Sequence, residues 1–291
     1  MKETLRISKK REVLSLVTGI TYASVPAWYG GTYRDLKMDL IIPKHRENHS
    51  PCPAVLWICG GAFLVMDRSI WMPEMMAYAE RGYAVACLDY RTCNEAPFPA
   101  QLQDVKAAIR YLKARAGQFC IDPDRIIVMG ESAGGALAAL AGVTAGRKEF
   151  DVGEHLEVDS SVCGVVSYYG ASAAGMNEPL CQPHPNVPDW IMQALLGSGY
   201  TQMDYQRFSA YSYLDGDHIP PFLLLHGEKD SLVPKEHSER FYAALTERQI
   251  PADLIVVEGA EHGDDLLYQD AVKEKVLAFM NRVCRHQPKL I

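Results

Sequence analysis

The chain has 291 residues, 48% apolar and 22% charged, which suits one large α/β domain or two small ones with a sizeable core. Its net charge of −7 gives nucleic acid no basic footprint and an anionic membrane no polybasic grip; the short run Lys9, Lys10, Arg11 reads as a solvated charged end. The chain stays charged to Glu12, no apolar h-region follows, and no stretch approaches bilayer length, so a cytoplasmic protein that does not engage membranes is expected.

The run 13–17 is only as long as a strand. Residues 36–42 alternate and stop at Pro43, which predicts a strand. AVLWIC at 54–59 predicts a buried strand ending at Gly60-Gly61. A helix is expected over 73–81, stopped by Gly82, then a buried strand over 83–89. Between 99 and 115, Leu102, Val105, Ile109 and Leu112 fall on one face of a helix. A strand at 125–129 (RIIVM) and an alanine-rich helix at 133–145 follow. Further strands are expected at 161–169, 221–225 and 254–257. Helices are expected at 235–248 and near the end, where Val272, Val276, Phe279 and Val283 keep helical spacing.

Continuous apolar strands separated by helices imply a mostly parallel sheet covered on both faces. The stretch from 170 to 219 breaks the rhythm. It holds prolines, aromatics and one helical patch at 190–196, and reads as a small cap inserted at about 171–219 of a single domain. Eight cysteines are present and none forms a C-x-x-C pair; several lie in apolar runs and read as small, reduced, buried side chains.

The motif that carries chemistry is Gly130-Glu131-Ser132-Ala133-Gly134, set between the RIIVM strand and the alanine-rich helix. A nucleophile elbow needs this sharp strand-to-helix turn, and the glycines let strand and helix approach. Ser132 then sits at a helix start, whose free N–H groups favour a developing anion. A serine hydroxyl is a weak nucleophile until a base takes its proton. In folds with this elbow the partners follow in the order Ser, acid, His. His262 follows the strand at 254–257, at the carboxyl end where sites collect, and is the expected base. His226 ends the strand before it and reads as structural. His45, His49, His155, His184, His218, His237 and His286 read as solvated surface residues. In the loop after His226, Asp230 is the expected acid and Glu228 the runner-up; Asp264 and Asp265 read as helix-start charges. The turn Cys59-Gly60-Gly61-Ala62-Phe63 can aim N–H groups of Gly61 and Ala62 at an oxyanion, beside that of Ala133. Phe63, Tyr169, Trp190 and Tyr22 are aromatics that could line a sugar or aryl pocket, although core packing accounts for aromatics equally well.

Together these residues resemble the α/β-hydrolase branch that holds the hormone-sensitive-lipase-like esterases and the acetylxylan and feruloyl esterases, over nearly the whole chain. DLKMDLIIP at 35–43 looks like that group's first strand. EAPFPAQLQDVK at 95–106, IDPDR at 121–125 and GESAGG look like its carbohydrate-esterase side. The resemblance implies an α/β-hydrolase fold and hydrolysis of short acyl or feruloyl esters on sugars, without a cofactor, by Ser132, Asp230 and His262. The substrate is then a small-molecule ester or an acylated oligosaccharide. One departure is Cys59, where the family usually has a histidine that helps hold the oxyanion loop. Two other readings compete: a small peptidase, since the same triad cleaves amides, and a silent binding module of the same fold. Peptidases of this fold usually carry a further large domain, and a silent module would be expected to lack a triad member.

Overall fold

A computed structural model describes residues 1–44, 50–171, 189–216 and 218–285. Its frame is one eight-stranded sheet in the order β1-β2-β4-β3-β5-β6-β7-β8. The strands are β1 (Leu14–Ala27), β2 (Thr32–Pro43), β3 (Cys52–Ile58), β4 (Ala84–Leu88), β5 (Ile121–Glu131), β6 (Gly164–Tyr168), β7 (Phe222–Gly227) and β8 (Ala252–Val257). From β4 to β8 every neighbouring pair is parallel, whereas β1 and β2 run antiparallel at one edge. Crossover helices explain that pattern: a parallel pair needs a long connection, and a helix supplies it.

Alternation along the central strands feeds two apolar layers. In β5, Ile126 and Val128 enter one layer, with α2 (Ala100–Ala114), α4 (Ala133–Val143) and α7 (Glu236–Glu247). Ile127 and Met129 enter the other, with α1 (Met72–Ala79) and α8 (Asp270–Arg285). Each such side chain, fully buried, contributes roughly 1.5–3 kcal/mol of transfer free energy. α4 is buried along its whole length, and its small residues let it approach the sheet closely. A Cβ on Gly135 would lie 2.7 Å from the Tyr168 carbonyl. A short α3 (Ala116–Phe119) leads into β5.

The elements expected from 36 onward are present with ends moved by a few residues. The first strand is not the one at 35–43: β1 precedes it. β1 is an edge strand whose pairing with β2 shifts register between Val17 and Ile20 and again between Thr21 and Ala23. Each shift resets the side-chain alternation, so no clean period of two survives in the sequence.

Within the expected cap, residues 172–188 and 217 lie outside the described residues. The rest forms α5 (Asp189–Leu196), α6 (Gln202–Phe208) and a 3₁₀ turn at Ala210–Tyr213. α6 was not expected; Thr201 and Asp204 start it with a reciprocal capping box. The Phe98 N–H donates to the Leu195 carbonyl at 2.7 Å and ties α5 to the loop before α2. No helix among the described residues is long and apolar enough to cross a membrane.

Candidate active site

Ser132 follows β5, Asp230 follows β7 and His262 follows β8, so three loops at the carboxyl ends of the parallel strands converge. Ser132 takes φ 52° and ψ −119°. For a residue with a Cβ that strain is worth about 1–3 kcal/mol, and the surroundings must enforce it. They do so through close approach. A Cβ on Gly130 would strike the Gly134 carbonyl, and one on Gly134 the Ile58 carbonyl. The Ser132 N–H donates to the Tyr168 carbonyl at 2.9 Å. The corner holds the hydroxyl clear of the strand.

Ser132 Oγ lies 2.9 Å from His262 Nε2, and His262 Nδ1 lies 2.8 Å from Asp230 Oδ2. With the Nδ1–H donated to the carboxylate, Nε2 is the lone pair that accepts the hydroxyl proton. Asp230 Oδ1 accepts the N–H groups of Leu232 and Val233 at 3.0 and 2.8 Å. Burial pushes the Asp230 carboxyl up. Hydrogen bonds from His226 and His262, and the charge of His262, outweigh it and hold the carboxyl well below the usual range.

The other acids and histidines have different settings. Glu228 is exposed and accepts the Gly259 N–H at 2.9 Å. Asp264 caps the 3₁₀ turn Asp265–Tyr268 by accepting the Leu266 N–H. His226 is fully buried, its Nδ1 2.7 Å from Ser238 Oγ and its Nε2 2.8 Å from the Val233 carbonyl. His155 is half-buried and His218 exposed, while His45, His49, His184 and His286 lie outside the described residues. The expectation for His237 is corrected: it is buried, not solvated. It precedes Phe241 by four residues and Ala244 by seven, so it shares the inward face of α7.

After β3 the chain turns through Gly61 (φ 116°), Ala62 (φ 53°) and Phe63 (φ 63°). Two successive non-glycine residues in the left-handed region make this turn costly, again about 1–3 kcal/mol each. Among the described residues no hydrogen bond occupies the N–H groups of Gly61, Ala62 or Ala133. Ala133 opens α4, where first-turn donors have no partner within the helix. Such donors can receive charge that develops on a substrate oxygen. The Cys59 thiol is buried, which pushes it up to about 12 and keeps it protonated.

Of the aromatics, Phe63 is mostly buried and meets Phe208 edge-on at 5.4 Å between centroids. Tyr169 is 1% exposed, with its ring centroid 4.7 Å from that of His262. Tyr22 is buried and its hydroxyl donates to the Asp89 carbonyl. Trp190 is 56% exposed on α5, whereas Leu195 of that helix is fully buried. Sequence reasoning missed Glu131, Trp71 and Tyr268, which pack under the site. Trp71 donates to Glu131 at 3.2 Å and stacks on Tyr268 at 4.3 Å, and the Tyr169 and Tyr268 hydroxyls are hydrogen-bonded. Glu131 occupies a variable position of the elbow, and no periodicity marks the other two.

The chain matches the BD-FAE family model over residues 38–245. It is 28% identical to an isoprenylcysteine alpha-carbonyl methylesterase of Arabidopsis thaliana, over 84% of this chain and 57% of that protein. A solved structure described as a truncated carbohydrate esterase from gut microbiota superposes with a TM-score of 0.75 and 25% identity, covering 96% of this chain and 99% of that one. An acetyl ester-xyloside bifunctional hydrolase from Caldicellulosiruptor lactoaceticus gives a TM-score of 0.71 at 25% identity, over 86% and 87%. The chain spans about half the length of the curated relatives it matches. Fold, elbow and family match agree: the chain belongs to the BD-FAE family, an esterase family of the α/β-hydrolase fold.

Proposed function

We propose that the chain is a serine carboxylic-ester hydrolase that works through an acyl-enzyme on short acyl, chiefly acetyl, or feruloyl esters of carbohydrates. The observation that carries the reaction is the unbroken bond chain Ser132–His262–Asp230 on a strained elbow. Ser132 Oγ attacks the ester carbonyl as His262 Nε2 takes its proton. Asp230 keeps the imidazole in the Nδ1–H tautomer and stabilises the imidazolium. The N–H groups of Gly61, Ala62 and Ala133 receive the oxyanion. His262 then protonates the leaving alcohol, and water repeats the sequence to release the acid.

The sugar-ester reading is supported by the solved carbohydrate esterases that share the fold at 25% identity. We further read the chain as one domain with a cap at about 171–219, in which α5 and α6 wall the entrance and Trp190 faces the alcohol part of the substrate. The test is two-step. An aryl fluorophosphonate should label wild type and not Ser132→Ala; absence of labelling would leave the silent-module reading. Acetylated and feruloylated oligosaccharides are then compared with nitrophenyl esters, peptide anilides and a prenylcysteine methyl ester. Preference for either of the last two would overturn the sugar-ester assignment, the prenylcysteine ester because relatives carry that activity in their names.

A further inference from the structure

Glu131 stands beside the nucleophile in the chain, yet its side chain turns away from it. It is 8% exposed, and its carboxylate accepts two N–H groups, from the Gly60 backbone and from Trp71 Nε1. The fit against Gly60 is close enough that a Cβ there would lie 2.6 Å from either carboxylate oxygen. Gly60 enters the turn through Gly61, Ala62 and Phe63, whose left-handed conformations the chain resists.

Such a turn keeps its shape only where it is tied at both ends. On its far side the Cys93 N–H donates to the Phe63 carbonyl at 2.8 Å, and Asn94 donates to the Leu64 carbonyl at 3.0 Å. On its near side the Tyr90 hydroxyl holds the Cys59 carbonyl at 3.0 Å, and Glu131 holds Gly60. The protonated Cys59 thiol brings no charge to the turn.

We propose that Glu131 is a positioning residue whose carboxylate clamps the oxyanion turn to the nucleophile elbow. The proposal rests on the ester-hydrolase reading for its catalytic consequence. Because Glu131 and Ser132 are adjacent, one short covalent path sets the distance between the nucleophile and the donors of Gly61 and Ala62. The clamp also reaches the histidine loop: Trp71 stacks on Tyr268, the Tyr268 and Tyr169 hydroxyls are bonded, and Tyr169 meets His262 edge-on. Burial raises the Glu131 carboxyl, and the Gly60 and Trp71 donors, the Tyr169 hydroxyl and the His262 charge oppose that rise.

Glu131→Met keeps length and removes the acceptor, whereas Glu131→Gln keeps an oxygen for Gly60. With nitrophenyl acetate, Glu131→Met is expected to lose about 10²-fold in kcat, the scale of one lost oxyanion donor. KM should change less than about threefold, because these donors act on the transition state. Glu131→Gln should recover most of the rate. Amide exchange at Gly60 should speed up at least about tenfold in the Met variant only. Wild-type kcat in Glu131→Met, a loss confined to KM, or unchanged exchange at Gly60 would each overturn the clamp. If Glu131→Met does not fold, Glu131→Asp, one methylene short of Gly60, is read the same two ways. A wild type that turns over no ester sinks the function reading instead, and the exchange measurement still decides the clamp.

Discussion

His226 Nε2 stands 3.2 Å from the same Asp230 oxygen, Oδ2, that binds His262 at 2.8 Å. One carboxylate thus lies between two imidazoles, with its other oxygen on two backbone N–H groups. His226 also ties Asp230 to α7 through Ser238. His226→Ala should therefore destabilise the fold by about 1.5–3 kcal/mol, the scale of a lost hydrogen bond to a charged group. Urea unfolding measures it. The same variant should lose kcat, though less than Asp230→Asn. An unaltered unfolding midpoint would mean that His226 is a passenger.

Asp230→Asn should cost kcat on the order of 10⁴, as loss of the acid does in the best-studied triad. Glu228→Gln should leave kcat within a few-fold, because Glu228 only accepts a backbone N–H at the protein surface. Steady-state kinetics on one aryl ester ranks the two. The reverse order would transfer the acid's role to Glu228.

The same carboxyl makes stability depend on pH. Its folded-state value lies below that of the unfolded chain, near 3.9, so the unfolded state takes the proton first as pH falls. The contribution is complete above about pH 5 and is lost as pH drops through about 4 toward the lowered folded value. Denaturant midpoints between pH 6 and 2.5 should fall more steeply for wild type than for Asp230→Asn. Parallel curves would show that the carboxyl is not depressed.

Ser132→Ala and Ser132→Gly should both lose nearly all turnover, but they should part in stability. Alanine keeps the strain at φ 52°, whereas glycine relieves it. Relief of about 1–3 kcal/mol, less the 0.4–1 kcal/mol of freedom that glycine adds to the unfolded chain, leaves Gly roughly 1 kcal/mol ahead. Thermal unfolding of the two proteins compares them directly. Equal Tm values would mean that the elbow is not strained.

Apolar, uninterrupted runs made the central parallel strands β3, β4 and β6 legible, because both faces of each are largely buried and little dilutes the signal. The elbow was legible for another reason: glycine spacing at a strand–helix junction reports close approach directly. That Ser132, Asp230 and His262 come together could be expected from their places after strands, although 130 residues separate the serine from the histidine. β1 was hidden because its bulges break the alternation that marks a half-buried strand. His237 was misjudged because its place at the start of a helix was weighed and its spacing to Phe241 was not. Glu131 carried no mark at all, since what defines it is a backbone N–H 71 residues away.

The irregularity of β1 has its own effect at the rim of the sheet. An outermost strand of 14 residues offers a row of unpaired backbone groups to any other chain. Here the strand is interrupted twice, and at Gly19 (φ 69°) its N–H turns inward to Asp39 Oδ1 at 2.7 Å. A visiting strand would find its ladder out of step within a few residues and one donor already spent. The feature that hid β1 from a periodic reading thus makes this rim of the sheet a poor template for another chain's strand.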